Sequence, residues 1–362
     1  MHHGICADLG IVDSAMVPAL VPDLHRRVDD RCVAPSAVSN DAFNDASDKV
    51  RMGLDAASGR TPEMADAKTP EGSSDVESRT STQIAAGISV AQLLRNAPLA
   101  AIDNRLLVAH ALRMSRTQLI TSSQHILNAE EAQRVDALFV RRQAGEPVAY
   151  ILGSREFYGL SLYVTPAVLI PRADTELLVD LVLEYAPPGA RIADLGTGSG
   201  AIAIAVARNR GDLQVTATDI SQAALEVARH NAALHRVQAT FLQGDWLAAL
   251  AEKRFDLIVS NPPYIVADDV HLRQGDLPFE PVHALTDHAD GLSALRCLAT
   301  GAGAHLKPGG WLLLEHGYDQ APAVRAMLTE NGFESVRSWT DMAGIERVSG
   351  AQMPLCQAAP AI

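Results

Sequence analysis

Cysteine is scarce in this chain of 362 residues: Cys6, Cys32, Cys297 and Cys356 are scattered, with no Cys-x-x-Cys spacing. That excludes a zinc ribbon or a disulfide-stapled scaffold, leaves no metal site to expect, and fits a reducing cytoplasm. Long apolar runs are missing too. None approaches the ~18 residues of a membrane span, and Met1-His2-His3-Gly4 lacks the basic region of a signal peptide. Positive charge is in deficit, with 30 Lys and Arg against 43 Asp and Glu and a formal net charge of −13. An acidic body is a poor partner for phosphate backbones, so neither a nucleic acid nor a membrane is the expected partner. No oligomer is expected either. Aromatic residues make up 4% of the chain, and the first 83 residues hold only Phe43. That stretch carries 8 basic and 14 acidic residues among Asp, Ser, Ala and Pro. It has no sustained periodicity, and so cannot bury enough apolar surface to order itself. A disordered acidic extension over residues 1–84 is the expectation.

Helical periodicity starts at Ser89, which can cap Val90-Ala91-Gln92-Leu93-Leu94-Arg95; Ile102, Leu106, Ala109 and Leu112 then recur at helical spacing. Asn128 is the predicted cap of a third helix reaching Ala144, with Gly145 as its stop. These elements form a small helical domain over residues 85–150. Residues 156–158 and 160–164, joined around Gly159, read as a β-hairpin in a linker over residues 151–170. From residue 171 to 355 strands and helices alternate, as a doubly wound α/β sheet requires. The predicted strands are 191–195, 214–219, 239–242, 255–260, 310–315, 335–340 and 346–351. Helices are placed at 201–207, 222–234, 291–305 and 321–330. The last two strands have no helix between them, which suits an antiparallel seventh strand.

Two motifs carry chemistry. Asp194-Leu195-Gly196-Thr197-Gly198-Ser199-Gly200 ends a short strand and opens a helix, and its glycines permit positive φ and close approach to a ligand. The spacing departs from the dinucleotide fingerprint, which wants a glycine where Ala201 stands. Asp219 ends the next strand, where a ribose hydroxyl pair would be held. Asn261-Pro262-Pro263-Tyr264 follows the apolar run of residues 255–260. Its prolines end the sheet ladder and free carbonyls to accept from a planar NH₂ group, to which Asn261 adds an amide. The platform suits chemistry on an amide or amine nitrogen.

These motifs, with Gly244-Asp245-Trp246, resemble the S-adenosylmethionine-dependent methyltransferases. Further segments narrow the resemblance: Gly145-Glu146-Pro147, Ala149-Tyr150, Glu156-Phe157-Tyr158-Gly159, Leu169-Ile170-Pro171-Arg172-Ala173-Asp174-Thr175-Glu176, Phe279-Glu280-Pro281 and Asp290-Gly291-Leu292. From about Ser89 to Gln352 the chain is similar to the peptide chain release factor glutamine methyltransferases, the HemK or PrmC family. Asp174-Thr175-Glu176 separates them from paralogues acting on a ribosomal-protein glutamine. The resemblance implies a Rossmann-like, seven-stranded class I methyltransferase sheet behind the helical domain, with S-adenosyl-L-methionine as cofactor and release factors as protein partners. It implies methylation of the glutamine side-chain nitrogen in their Gly-Gly-Gln motif. Asn261, Pro262 and Tyr264 are then the catalytic candidates, and Pro263 joins them in substrate binding. Asp194, Gly196, Thr197, Gly198, Ser199, Gly200, Asp219, Asp245, Trp246 and Asn261 are the cofactor candidates. The helical domain would recognise the protein substrate.

Plainer readings stand beside these. Asp194 could cap a turn, Trp246 could be ordinary core, and the helical domain could be a packed cap. His271 and His316 read better as solvated or packed than as acid and base, while the role of Glu315 stays open. Ribosomal-protein glutamine methyltransferases and adenine or guanine methyltransferases are the alternative functions. A base-flipping enzyme usually carries a basic target-recognition region, and no such region is visible.

Overall fold

The computed structural model describes residues 84–355, so the expected acidic extension lies, apart from Ile84, outside the described residues. The described part belongs to one compact unit, and none of its helices is long and apolar enough to cross a membrane.

The helical segment begins with α1 (Val90–Asn96), α2 (Ala101–Ala111), α3 (Arg116–Thr121), α4 (Ala129–Gln143) and α5 (Val148–Leu152). Capping boxes start three of them, Ser89 with Gln92, Ser115 with Gln118 and Asn128 with Glu131. Each box satisfies two amides that the first turn leaves without partners. Leu107, Val108, Leu127, Val135 and Phe139 form the shared core of these helices. Helices α3 and α5 are not among the sequence expectations, since one or two turns are too short to show periodicity.

Strands β1 (Ser154–Phe157) and β2 (Leu160–Tyr163) make the hairpin. Tyr158, expected in the first strand, is in the turn: it and Gly159 have φ of 50° and 73°, the pair of positive values a two-residue hairpin turn demands.

A 3₁₀ turn, Ala173–Thr175, leads into α6 (Glu176–Tyr185), a helix absent from the sequence expectations. The alternation then runs β3 (Arg191–Leu195), α7 (Ala201–Asn209), β4 (Gln214–Asp219), α8 (Gln222–His235), β5 (Thr240–Gln243), β6 (Phe255–Ser260), α9 (Ser293–His305), β7 (Leu306–Glu315), α10 (Ala321–Glu330), β8 (Glu334–Thr340) and β9 (Glu346–Gln352). Two boundaries differ from expectation for physical reasons. Helix α9 starts after Gly291, whose φ of 74° is not helical. Strand β7 starts four residues before Gly310, because a register shift opposite Phe255 and Leu257 absorbs the Pro-Gly-Gly segment.

The seven strands lie in the order β5-β4-β3-β6-β7-β9-β8. The first five are parallel, and β9 runs antiparallel between β7 and β8. Leu257, Val259 and Leu313 pack with α6 and α7 on one face, whereas Ile258, Leu312 and Leu314 pack with α9 and α10 on the other. Both faces are covered, so the central strands are apolar at almost every position. After β3 the chain moves outward through β4 and β5; after β6 it moves the opposite way through β7. The reversal falls between β3 and β6, and in such sheets the ligand crevice opens at that point, beyond the carboxyl ends of the strands.

Candidate active site

Four strand ends meet at this crevice. Leu195 of β3 is in register with Thr218 of β4 and Ser260 of β6, and Asp219 is in register with Gln243 of β5. Ser260 Oγ donates to the Leu195 carbonyl at 2.7 Å, locking the two central ends together. A cavity of about 440 Å³ opens there, with Gly196, Gly198, Asp219, Asp245, Trp246, Asn261 and Pro263 on its wall. Seven of the residues singled out in the sequence are thus brought together. Asp194, Thr197, Ser199, Gly200, Pro262 and Tyr264 lie behind that wall rather than on it.

The glycine turn shows why those positions are glycine. Gly196, Gly198 and Gly200 have φ of 72°, 55° and 83°. A Cβ on Gly196 would stand 3.0 Å from the Trp246 ring, and one on Gly198 would project into open space. Four amides of the turn are already engaged. Gly196 N–H and Thr197 N–H both donate to the Thr218 carbonyl at 2.9 Å, Gly198 N–H donates to Asp219 Oδ2 at 2.9 Å, and Gly200 N–H donates to the Thr197 carbonyl at 2.8 Å. A phosphate-binding turn needs its N–H groups pointing at the ligand, and these four point into the protein instead.

Asp194 organises the turn from behind. Its Oδ2 accepts the Thr197 hydroxyl at 2.6 Å and the Ala203 N–H at 3.2 Å, while Oδ1 has no partner. Burial pushes its pKa up to about 7 against the pull of those two hydrogen bonds, and the Asp219 charge adds to the rise. Asp219 accepts from Gly198 N–H and Ser221 N–H, one on each oxygen. An ionised carboxylate offers about four acceptor sites, so it retains capacity for two hydroxyl donors. Asp245 precedes a 3₁₀ turn without capping it and is exposed on the wall. Trp246 is half-buried against the α9 side of the core. The wall therefore combines carboxylates with an aromatic face, and contains neither Lys nor Arg.

At the Asn-Pro-Pro-Tyr end, Asn261 Nδ2 donates to Thr175 Oγ1 at 3.0 Å, leaving Oδ1 as the free end of a side chain on the cavity wall. Pro262 is buried, and among the described residues no hydrogen bond falls on its carbonyl. Tyr264 Oη donates to Glu315 Oε1 at 3.4 Å. Burial and the neighbouring Glu315 charge push the tyrosine pKa far up, so Tyr264 stays neutral. His316 is buried: its Nδ1 lies 2.9 Å from the Gly317 carbonyl and its Nε2 2.7 Å from Ser349 Oγ. Burial lowers its pKa. It faces the sheet rather than the cavity, and exposed His271 pairs with Asp269 at 2.6 Å. Among the described residues no cluster of His, Cys, Asp and Glu is suited to a metal.

The opposite wall, His283, Thr286, Asp287, His288, Ser293 and Cys297, is missing from the sequence reading. The segment containing it is held by motifs that the sequence did display. Glu280 accepts from the Ile170 amide and the Arg172 guanidinium. Asp287 accepts from the amides of Ala289, Gly291 and Ser293. A Cβ on Gly291 would collide with the Tyr264 carbonyl oxygen, so Asp-Gly-Leu marks where this wall lies directly on Asn-Pro-Pro-Tyr.

A parallel sheet in this order with an antiparallel strand inserted near its edge, a glycine turn with its amides turned inward, and an acidic residue ending the adjacent strand define a class I methyltransferase. Residues 173–275 match the methyltransferase small domain, and residues 88–153 match the PrmC N-terminal domain. A release factor glutamine methyltransferase from Burkholderia pseudomallei is 52% identical over 275 residues, 74% of this chain and 96% of its own. Another, from Neisseria gonorrhoeae, is 52% identical over 250 residues, 68% of this chain and 92% of its own. The enzyme from Bordetella pertussis is 50% identical over 264 residues, 72% of this chain and 98% of its own. The chain belongs to the release factor glutamine methyltransferase family.

Proposed function

We propose that this protein methylates the side-chain amide nitrogen of the glutamine in the Gly-Gly-Gln motif of peptide chain release factors, using S-adenosyl-L-methionine. The observation that carries this reading is the Asn261 carboxamide: its NH₂ end is engaged by Thr175, and its oxygen is left as an acceptor on the cavity wall. With the Pro262 carbonyl, which does not line the cavity but carries no hydrogen bond among the described residues, as the second acceptor, Asn261 Oδ1 would match the two N–H groups of a primary amide.

The residues present fit the cofactor. Asp219 and Asp245 supply an acidic setting for a cation and acceptors for ribose hydroxyls, Trp246 an aromatic face for a purine, and the glycine turn an approach without phosphate-seeking amides. Asp194 shapes that turn. When bound, S-adenosylmethionine supplies an electrophilic methyl group on a sulfonium.

The chain's own task is to make a poor nucleophile react. An amide nitrogen shares its lone pair with the carbonyl; acceptors fixed on both N–H groups raise electron density on nitrogen and favour the positive charge that grows there. Fixed dipoles aimed at developing charge act without reorganising. Pro262 and Pro263 keep the acceptors rigid, and neutral Tyr264 closes the wall behind them. No side-chain base is needed, because the nitrogen becomes strongly acidic as it is alkylated and releases its proton to solvent. The helices α1–α5 are the proposed contact with the body of the protein substrate. A wall without Lys or Arg gives a nucleic-acid backbone nothing to pair with.

Asn261→Ala tests the reading. Loss of one such group costs about 3–4 kcal/mol in the transition state, so methyl transfer from labelled cofactor should fall roughly 10²- to 10³-fold, with cofactor affinity by calorimetry unchanged. Mass mapping of the label after separate incubations with release factor, ribosomal protein, RNA and DNA should place it on the Gly-Gly-Gln glutamine alone. Label on a ribosomal-protein glutamine or a base amine would replace this assignment.

A further inference from the structure

Helix α8 carries a fully buried polar side chain, Asn231, at 0% exposure. Its oxygen and both its N–H groups are engaged. Oδ1 accepts the Tyr163 amide of β2 at 2.7 Å, while Nδ2 donates to the Tyr163 carbonyl and to the Ser199 carbonyl of the glycine turn, each at 2.9 Å. Every partner is a backbone group, so a flipped carboxamide would set N–H against N–H and oxygen against two oxygens. The main chain alone fixes its orientation.

The Ser199 carbonyl matters because it is left out of α7. In a continuing helix it would accept from the amide four residues on, that of Ala203. That amide donates instead to Asp194 Oδ2 at 3.2 Å, and among the described residues no backbone amide outside the regular elements donates to the Ser199 oxygen. The peptide between Ser199 and Gly200 is thus turned out of the helix, with Gly200 at a φ of 83° and α7 starting at Ala201. Asp194 takes the amide, Asn231 takes the carbonyl, and between them they hold the bend that follows Gly196 and Gly198 of the cavity wall. Helix α8 lies directly on this bend: a Cβ on Gly200 would stand 3.1 Å from the Ala228 Cβ. The same helix reaches another part of the wall, since Ala224 and Val227 pack with Tyr150, Val168 and Ile170, and Ala224 and Val168 line the cavity.

We propose that Asn231 is a positioning residue for the cofactor: it holds the glycine turn in its binding-competent bend and registers that turn against the hairpin strand β2. The role rests on the S-adenosylmethionine reading above. Without the Asn231 bond the Ser199 carbonyl is free to rejoin the helix at Ala203, and the turn is competent only part of the time. Cofactor affinity then falls in proportion to the competent fraction, whereas the complex, once formed, keeps its geometry. Asn231 thereby acts on cofactor KM and leaves turnover alone, which a loss of general stability does not do.

The experiment compares full-length Asn231→Leu, Asn231→Asp, His235→Ala and Val135→Ala with wild type. Readouts are calorimetric affinity for S-adenosyl-L-methionine, KM for cofactor and for release factor, kcat at saturating cofactor, and thermal unfolding. Asn231→Leu removes all three bonds at nearly constant volume; cofactor affinity should fall roughly 10- to 100-fold and KM rise to match, with kcat within about threefold of wild type. Asn231→Asp keeps an acceptor for the Tyr163 amide but sets an oxygen against two carbonyls, so its loss should be at least as large. His235, whose Nε2 lies 2.9 Å from the Ser161 carbonyl, holds the same hairpin without touching the turn, and Val135 belongs to the core of the helical segment. Their variants should unfold at lower temperature with wild-type cofactor affinity. Wild-type affinity in folded Asn231→Leu and Asn231→Asp overturns the proposal, as does an equal loss in His235→Ala or Val135→Ala. Should neither Asn231 variant fold, hydrogen exchange of the wild-type Asn231 side-chain NH₂ decides: it should slow when S-adenosyl-L-methionine binds, because a ligand that selects the bent turn suppresses its opening, and unchanged exchange refutes the role. A wild type that binds no S-adenosyl-L-methionine sinks the cofactor reading and this inference together, whereas cofactor binding without methylation of release factor sinks only the substrate assignment.

Discussion

Asp194 is a carboxylate at 1% exposure with one unpartnered oxygen, and a pH dependence follows from its environment. Its pKa rises from 3.8 to about 7 in the folded chain, chiefly through burial. The native state then holds the proton more tightly than the unfolded state, so stability falls as pH rises between those two values. Whatever stability Asp194 contributes is fully present below about pH 4 and lost as pH passes through about 7. Asn at this position can accept the Thr197 and Ala203 hydrogen bonds through its oxygen and carries no charge to bury. Asp194→Asn should therefore unfold at nearly the wild-type temperature at pH 4 and at a higher one at pH 8. Glu315, also raised to about 7 by burial, is present in both proteins, so the difference between their thermal profiles reports Asp194. In the sequence, Asp194 was legible as an acid at the head of a glycine turn. Its place behind the cavity wall was not, because burial there depends on α7 folding back over β3, a contact that no local pattern encodes.

The segment between β6 and α9 is the element that depends most on distant partners. It has only short 3₁₀ turns, whose runs are too brief to show periodicity. That is why His283, Thr286, Asp287 and His288 of the cavity wall escaped sequence reasoning while the flanking motifs, Phe-Glu-Pro and Asp-Gly-Leu, were visible. Gln320, at the start of α10, staples it: Nε2 donates to the carbonyls of Tyr264 at 3.0 Å and Gly291 at 3.2 Å, and Oε1 accepts the Gly317 amide at 2.8 Å. Gln320→Ala leaves these half-buried groups without protein partners. A loss of about 1–3 kcal/mol is expected, the cost of unsatisfied polar groups, concentrated in this segment. Hydrogen exchange should quicken at residues 285–292 while the β3 and β6 amides stay protected, and methyl transfer should fall. Uniform quickening across the sheet would show that Gln320 supports the whole fold rather than this wall. Strands β3, β4 and β6, by contrast, were read from sequence to the residue: β6 is nearly an apolar run, as strands buried on both faces are, and the glycine turn after Leu195 and the acid at Asp219 mark where β3 and β4 end. Helix α6 escaped because Leu-Leu-Val-Asp-Leu-Val-Leu fits a buried strand nearly as well as a helix.

At the scale of the molecule, the segments that identified the family meet one another. A Cβ on Gly145 would stand 3.0 Å from the Phe279 ring, which puts Gly-Glu-Pro against Phe-Glu-Pro. Tyr150 Oη donates to the Val168 carbonyl at 2.6 Å, and Glu176 accepts the Tyr158 amide at 2.8 Å, tying the hairpin to α6. Sequence patterns place elements, whereas such contacts between elements arise only in three dimensions. Arg142 of α4 is the main ionic link between the helices and the cavity segment. It pairs with Asp103 of α2 and with Asp276, each at 2.9 Å, and also donates to the carbonyls of Gly145 and Glu146. These charges are partly solvated, which discounts the Coulombic gain, but Arg142→Met strips two carbonyls and two carboxylates of their donor while keeping the apolar stem. The expected cost is about 1–2 kcal/mol of stability. If helices α1–α5 orient the protein substrate over the cavity, that variant should raise KM for intact release factor several-fold, with cofactor affinity and turnover of a short Gly-Gly-Gln peptide unchanged, because a peptide engages the cavity alone. Equal losses on peptide and intact protein would instead assign Arg142, and the helices it anchors, to shaping the cavity wall.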